Sequence, residues 1–177
     1  MQNKRTILIY FMLLLLLSSC GKQSDKNIIT FSNDFEGQKG WGHIESLYEG
    51  MGHSGRFCTM TSATTPYGSI FRIKFKDIDN SRLNYFRFSA WCYSEGQVGE
   101  GRLVVSVDSD TSQSIIWHGW PLTDQMSGDG KWCEVSGELD LREKKANNPE
   151  NTFVFYLWSN GKDPILGDDF HFEFSKN

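Results

Sequence analysis

Tyr85-Phe86-Arg87-Phe88-Ser89-Ala90-Trp91-Cys92-Tyr93 is the stretch on which the fold turns. Phe86, Phe88, Ala90 and Cys92 alternate with Arg87, Ser89 and Trp91. A period of two belongs to a strand, whose successive side chains leave on opposite faces. Four more stretches repeat the pattern. Phe71, Ile73 and Phe75 alternate with Arg72 and Lys74, and Leu103, Val105 and Val107 with Val104, Ser106 and Asp108. Phe153, Phe155 and Leu157 alternate with Val154, Tyr156 and Trp158, and Phe170, Phe172 and Phe174 with His171, Glu173 and Ser175. The inward sets are large and mostly aromatic or β-branched, as strands favour. Turn-forming residues separate the runs: residues 50–55, Thr65-Pro66-Tyr67-Gly68, Asp79-Asn80, Ser94-Glu95-Gly96, Ser127-Gly128-Asp129-Gly130, residues 147–151 and Asn160-Gly161. Many short strands so spaced predict an all-β, antiparallel β-sandwich or jelly roll. Residues 139–145 have room for one helical turn, and no long amphipathic helix is visible. A domain of about 150 residues buries roughly two-thirds of its unfolded surface, so this one is expected to fold without disulfides.

Upstream the chain changes character. Lys4 and Arg5 precede an unbroken apolar run over residues 7–17, too short for a membrane-spanning helix, which needs roughly 20 residues. A positive start, a short apolar middle and small residues after it make a secretory signal. Leu17-Ser18-Ser19-Cys20, followed by Gly21, resembles the lipobox of bacterial lipoproteins. That resemblance implies cleavage before Cys20 and its modification with lipid, several acyl chains being needed for firm anchorage. The expected organisation is a signal peptide over residues 1–19, the lipidated Cys20 and a polar tether over 20–28, and one domain over 29–177. Gly21-Lys22 lacks the Asp beside the acylated cysteine that often retains lipoproteins at the inner membrane, which points to the outer membrane, periplasmic or surface side open.

Loss of residues 1–19 removes Lys4 and Arg5 and no acidic residue, taking the net charge of −4 to about −6. No basic face invites nucleic acid. Cys58, Cys92 and Cys133 remain, an odd number without C-x-x-C spacing. Cys92 and Cys133 both follow a tryptophan in strand-like runs and would pair only if those strands are neighbours; buried free thiols are the simpler reading.

Asp34-Phe35-Glu36 precedes Gly40-Trp41; then come Gly52-His53-Ser54-Gly55, the aromatic strand at 85–93, Trp132 before Val135, and Asp168-Asp169-Phe170 entering the last strand. This order of residues, from about position 30 to 176, resembles the jelly-roll carbohydrate-binding modules of the galactose-binding-like fold. The resemblance implies two facing antiparallel sheets and, in many such modules, a structural calcium. Carried over, its ligands are Glu36 and Asp169, with Asp168 and backbone carbonyls near Ser54 assisting; calcium is a hard cation that takes 6–8 oxygens. The alternative is that Asp168 and Asp169 only cap a strand entrance.

A glycan site needs aromatic rings for stacking and hydrogen-bonding groups beside them. Trp91 and Tyr93 share a face with Arg87, opposite Phe86 and Phe88, and if that face is open they form a candidate site. If it is covered, Trp91 packs beneath a loop, the commoner fate of a large aromatic. Trp117 and Trp120 are three apart, so a regular strand aims them at opposite faces, and Gly119 and Pro121 suggest a bend exposing Trp120. His118 has no neighbour at metal-ligand spacing. Trp41, Trp132 and Trp158 are assigned to packing.

No nucleophile elbow, His-Glu-x-x-His or phosphate loop is present, and Glu134, Glu138 and Asp140 lack the Glu-x-Asp-x-x-Glu spacing of sandwich-fold glucanases. The expected protein is therefore a lipid-anchored, non-catalytic envelope protein whose ligand is a glycan. An accessory subunit with an envelope-protein partner is the rival reading. A small glycoside hydrolase is the third, requiring two carboxylates roughly 5–9 Å apart.

Overall fold

The computed structural model describes residues 28–37, 41–79 and 81–176. The expected signal peptide, Cys20 and nearly all of the tether lie outside these residues, and Ile28 already belongs to the first strand. Ten strands follow in order: β1 (Ile28–Asn33), β2 (Leu47–Glu49), β3 (Phe57–Thr61), β4 (Tyr67–Lys74), β5 (Tyr85–Tyr93), β6 (Arg102–Asp108), β7 (Ser114–Pro121), β8 (Cys133–Asp140), β9 (Thr152–Trp158) and β10 (Ile165–Ser175). They form two antiparallel sheets. The six-stranded sheet runs β2-β3-β10-β5-β8, with β1 also on β10, and the four-stranded sheet runs β4-β9-β6-β7. This is the antiparallel β-sandwich expected from the alternation.

β10 explains the shape of the larger sheet. Its first residues pair with β3 and its last six with β1, both on one flank, while β5 occupies the other. The ladder shifts between Asp168 and His171, where Asp169 adopts a left-handed conformation with φ 46°. Such a bulge re-aims side chains and bends the strand, and the short polar Asp is among the residues that tolerate this backbone.

The core is a continuous aromatic layer. Phe172 of β10 lies 5.4 Å from Phe31, 4.9 Å from Phe71, 5.7 Å from Phe86 and 5.5 Å from Phe155, ring centre to ring centre, so one side chain joins both sheets. Phe75, placed in a strand by its alternation, instead opens a single helical turn, α1 (Phe75–Ile78), and remains fully buried. The turn expected over residues 139–145 is a 3-10 turn, Glu143–Lys145.

Two local devices close the sandwich at β8. Gly137 stands beneath Trp120 and Phe88: a Cβ there would penetrate Trp120 Nε1 and lie 2.7 Å from Phe88 Cε1. Gly137→Ala is accordingly expected to destabilise the fold by about 1–3 kcal/mol, the usual cost of overpacking, read as a lower urea midpoint with unchanged m-value. On the same strand, the Gln125 side chain acts as a short piece of backbone. Ser136 N donates to Gln125 Oε1 at 2.9 Å, and Gln125 Nε2 donates to Ser136 O at 3.0 Å.

Cys92 and Cys133 face each other in the β5–β8 register, so their strands are neighbours, and Cys58, Cys92 and Cys133 are all free thiols. Burial pushes the Cys92 thiol up to about 12, which keeps it unreactive as a nucleophile.

Candidate functional site

The outer face of the six-stranded sheet holds Trp91, Tyr93 and Arg87, and the turn over residues 50–55 covers the first two. His53 stacks flat on Trp91, with ring centres 4.0 Å apart and planes 9° apart. Trp132 meets His53 edge-on at 5.5 Å and leans on Tyr93 at 5.5 Å. Tyr93 is 8% exposed and donates its hydroxyl to Glu95 at 2.7 Å. Arg87 is exposed but already engaged by Glu138 at 3.2 Å and Glu173 at 3.9 Å. Of the two readings of this face the covered one holds: a loop from elsewhere in the chain stacks on Trp91, so Trp91 and Tyr93 form no open platform. Beside them lies a groove of about 590 Å³ lined by Tyr48, Met51, Met60, Tyr93 and Leu166.

What holds the turn down is the carboxylate set read as calcium ligands. Because of the bulge, Asp168 and Asp169 both reach the turn, where a regular strand would point them apart. Asp168 Oδ2 accepts His53 N at 2.7 Å and Ser54 N at 3.1 Å, and Asp168 Oδ1 accepts Asp169 N at 2.7 Å. Asp169 accepts Ser54 Oγ at 2.5 Å and pairs with His53 Nδ1 at 2.6 Å. Glu36 Oε1 accepts Arg56 N and Phe57 N, both at 2.6 Å, and Gly55, at φ 76°, leaves room for it: a Cβ there would sit 2.5 Å from Glu36 Cδ. The turn therefore offers these carboxylates hydrogen-bond donors from His53, Ser54, Arg56 and Phe57. Among the described residues no three His, Cys, Asp or Glu side chains stand close enough to hold a metal ion. In this arrangement N–H and O–H donors hold the turn to the carboxylates, and Ser54 O, Phe57 O and Asp168 Oδ2 lie 2.9, 3.0 and 3.2 Å from the point a Cβ on Gly52 would take.

The four-stranded sheet presents a different outer face. Its register sets side chains in cross-strand rows: Tyr67–Trp158–Arg102–Pro121, then Ile70–Tyr156–Val104–Gly119, then Arg72–Val154–Ser106–Trp117, then Lys74–Thr152–Asp108–Ser114. Trp117 is 54% exposed and Tyr67 43%. Trp117 Nε1 donates to Tyr156 Oη at 3.3 Å, and the Tyr156 and Tyr67 rings lie 5.7 Å apart. Partial burial pushes the Tyr156 phenol upward, keeping it neutral and available as a donor. The three rings form a diagonal strip across the sheet. Gly119 keeps its floor low, since a Cβ there would lie 3.0 Å from Arg102 Cδ and 3.2 Å from Trp117 Cη2.

Of the two tryptophans singled out on β7, only Trp117 joins this strip. Trp120 points between the sheets, 4.8 Å from Phe88 and nearly perpendicular to it, and is not a surface residue at a bend because β7 runs straight through to Pro121. The sequence reading missed Tyr67, taken as part of a turn, and Tyr156, read only as an alternating strand residue. The alternation at 153–158 had put Tyr156 and Trp158 on the face away from the core, and that was the available signal.

No protein-family model and no curated protein matches the sequence. Solved structures do resemble the fold. The CBM22-1 xylan-binding domain of Paenibacillus barcinonensis Xyn10C aligns at a TM-score of 0.53 and 15% identity, covering 83% of this chain and 94% of that one. A xylan-binding domain of carbohydrate-binding-module family 22 aligns at 0.55 and 12%, covering 86% and 98%. The C-terminal family 22 module of Clostridium thermocellum Xyn10B aligns at 0.52 and 11%, covering 82% and 94%. At such identities the likeness establishes a shared fold, that of the carbohydrate-binding-module jelly rolls.

Proposed function

We propose that the chain is a lipid-anchored, non-catalytic envelope protein that binds a glycan on the outer face of its four-stranded sheet. The observation that carries this reading is the strip formed by Tyr67, Tyr156 and Trp117, three rings on one exposed face with Arg72 and Arg102 beside them. Sugar rings offer flat C–H faces to such a strip and hydroxyls to the neighbouring donors. The fold shared with xylan-binding domains supports the same class of ligand. Asp108 is the one carboxylate in the described cross-strand rows, while glycoside hydrolysis ordinarily uses two, which supports binding without cleavage. Anchorage rests on the lipobox-like residues ending in Cys20, with the outer membrane as the expected site and a glycan as the partner.

The test is retention of the purified protein by a panel of polysaccharides in affinity electrophoresis. Trp117→Ala and Tyr67→Ala are each expected to weaken the retaining glycan about tenfold, equivalent to one lost ring stack, with unchanged thermal midpoints. No retention by any glycan, with the fold intact by circular dichroism, overturns the proposal; recovery of one defined envelope protein would then favour the accessory-subunit reading.

A further inference from the structure

The chain is acidic overall, at net charge −4, yet the aromatic face is not. Its four described rows carry Arg72, Lys74 and Arg102 against a single carboxylate, Asp108. Arg72 stands 4.0 Å from Asp108, at the edge of ion-pairing distance. Arg102 pairs with no carboxylate among the described residues. Glu100, two positions before it, is held instead by the Asn160 amide at 3.2 Å. The Arg102 stem and the edge of the Trp117 ring both lie over Gly119, and Arg102 sits opposite Trp158 in the ladder, so the residue borders the strip. Elsewhere Arg56 is held by Glu49, Arg87 by Glu138 and Arg142 by Asp140, while Arg82, outside the four rows, also has no carboxylate partner among the described residues. An uncommitted guanidinium beside exposed rings is a fork of donors aimed at a planar anion that arrives with the ligand.

We infer that the glycan bound here is anionic, a polysaccharide bearing uronic-acid carboxylates, with Arg102 taking the carboxylate and Arg72 supporting it. The inference rests on the glycan-binding reading and adds the charge of the ligand to it. A neutral glycan would find the same rings but leave Arg102 with hydroxyls alone. A uronate lets it make charge-assisted hydrogen bonds, roughly twice as strong as neutral ones.

The experiment compares matched polymers. Polygalacturonate, glucuronoxylan and alginate are each tested against their own carboxyl-reduced form, which removes the charge and keeps the linkage. At least one acidic polymer is expected to bind about tenfold more tightly than its reduced form. Raising sodium chloride to about 0.5 M is expected to close most of that gap, because exposed charges are screened within a few ångströms at such ionic strength. Arg102→Gln is expected to bring the acidic-to-reduced ratio towards one, and Arg72→Gln to lower it by a smaller factor, both with unchanged thermal midpoints. Equal binding of the two forms, or a gap indifferent to salt and to Arg102→Gln, overturns the charge inference and leaves glycan binding standing. Retention of neither form, nor of any neutral glycan, overturns both.

Discussion

Phe172→Ala is expected to destabilise the domain by about 3–5 kcal/mol, lowering the thermal midpoint by roughly 10 °C or more. The size of the effect follows from position. Phe172 touches Phe31 on β1, Phe71 on β4, Phe86 on β5, Phe155 on β9 and Phe174 on its own strand. It is fully buried. Truncation removes the transfer energy of a phenyl ring and leaves a cavity walled by other rigid rings, which cannot collapse into it as flexible aliphatic side chains would. A neighbour that is only partly buried, such as Trp41, should cost less. Calorimetry on the two variants decides the point: equal losses would mean that the aromatic layer is less continuous than its ring distances indicate.

The second large effect is one of pH. Stability is expected to fall as pH rises from about 4 to about 6, and Asp168 is the cause. Its side chain is fully buried. Burial, the leading influence, pushes its carboxyl from 3.8 up to about 6, and the charge of Asp169 adds to the rise, while the N–H groups of Asp169, Ser54 and His53 pull against it. The folded-state value therefore exceeds the unfolded one. Between the two, the folded chain still holds a proton that the unfolded chain has released. The group's favourable contribution is complete below about pH 4 and is lost as the pH passes about 6. A gap of about two pKa units corresponds to roughly 2–3 kcal/mol. Urea midpoints from pH 4 to 7 should show this slope in the parent. Asp168→Asn, which keeps one oxygen for the N–H groups of His53 and Ser54 but cannot ionise, should be flatter by that amount. Parallel profiles for the two proteins would remove Asp168 as the source.

The fold was legible because the decisive information is local. A period of two over β5, β6, β9 and β10 reports which side chains face the core without reference to any other part of the chain. The site was less legible because alternation does not say which outer face stays bare. Trp91 is covered by His53 because Asp168 and Asp169 grip the turn at His53 and Ser54 across 114 to 116 residues. Nothing near Trp91 announces that grip. Trp117 and Trp120 illustrate both sides of the matter. Their spacing of three correctly separates them onto two faces, yet Gly119 and Pro121 suggested a bend, where the strand in fact continues and carries Trp120 inward. Tyr67 was hidden by Pro66 and Gly68, which read as a turn. There β4 begins with a shift of register between Tyr67 and Ile70 that keeps the ring outward.

The Gln125 amide that bonds to Ser136 reaches beyond the packing of one molecule. β8 lies at the border of its sheet, and a border strand exposes backbone groups that a second molecule can use to extend the sheet. With its own side chain supplying both a donor and an acceptor at Ser136, the chain occupies the slot that an incoming copy would need. Molecules at high local concentration are thereby discouraged from zipping into a common ribbon along this border, and their aromatic strips stay separate units.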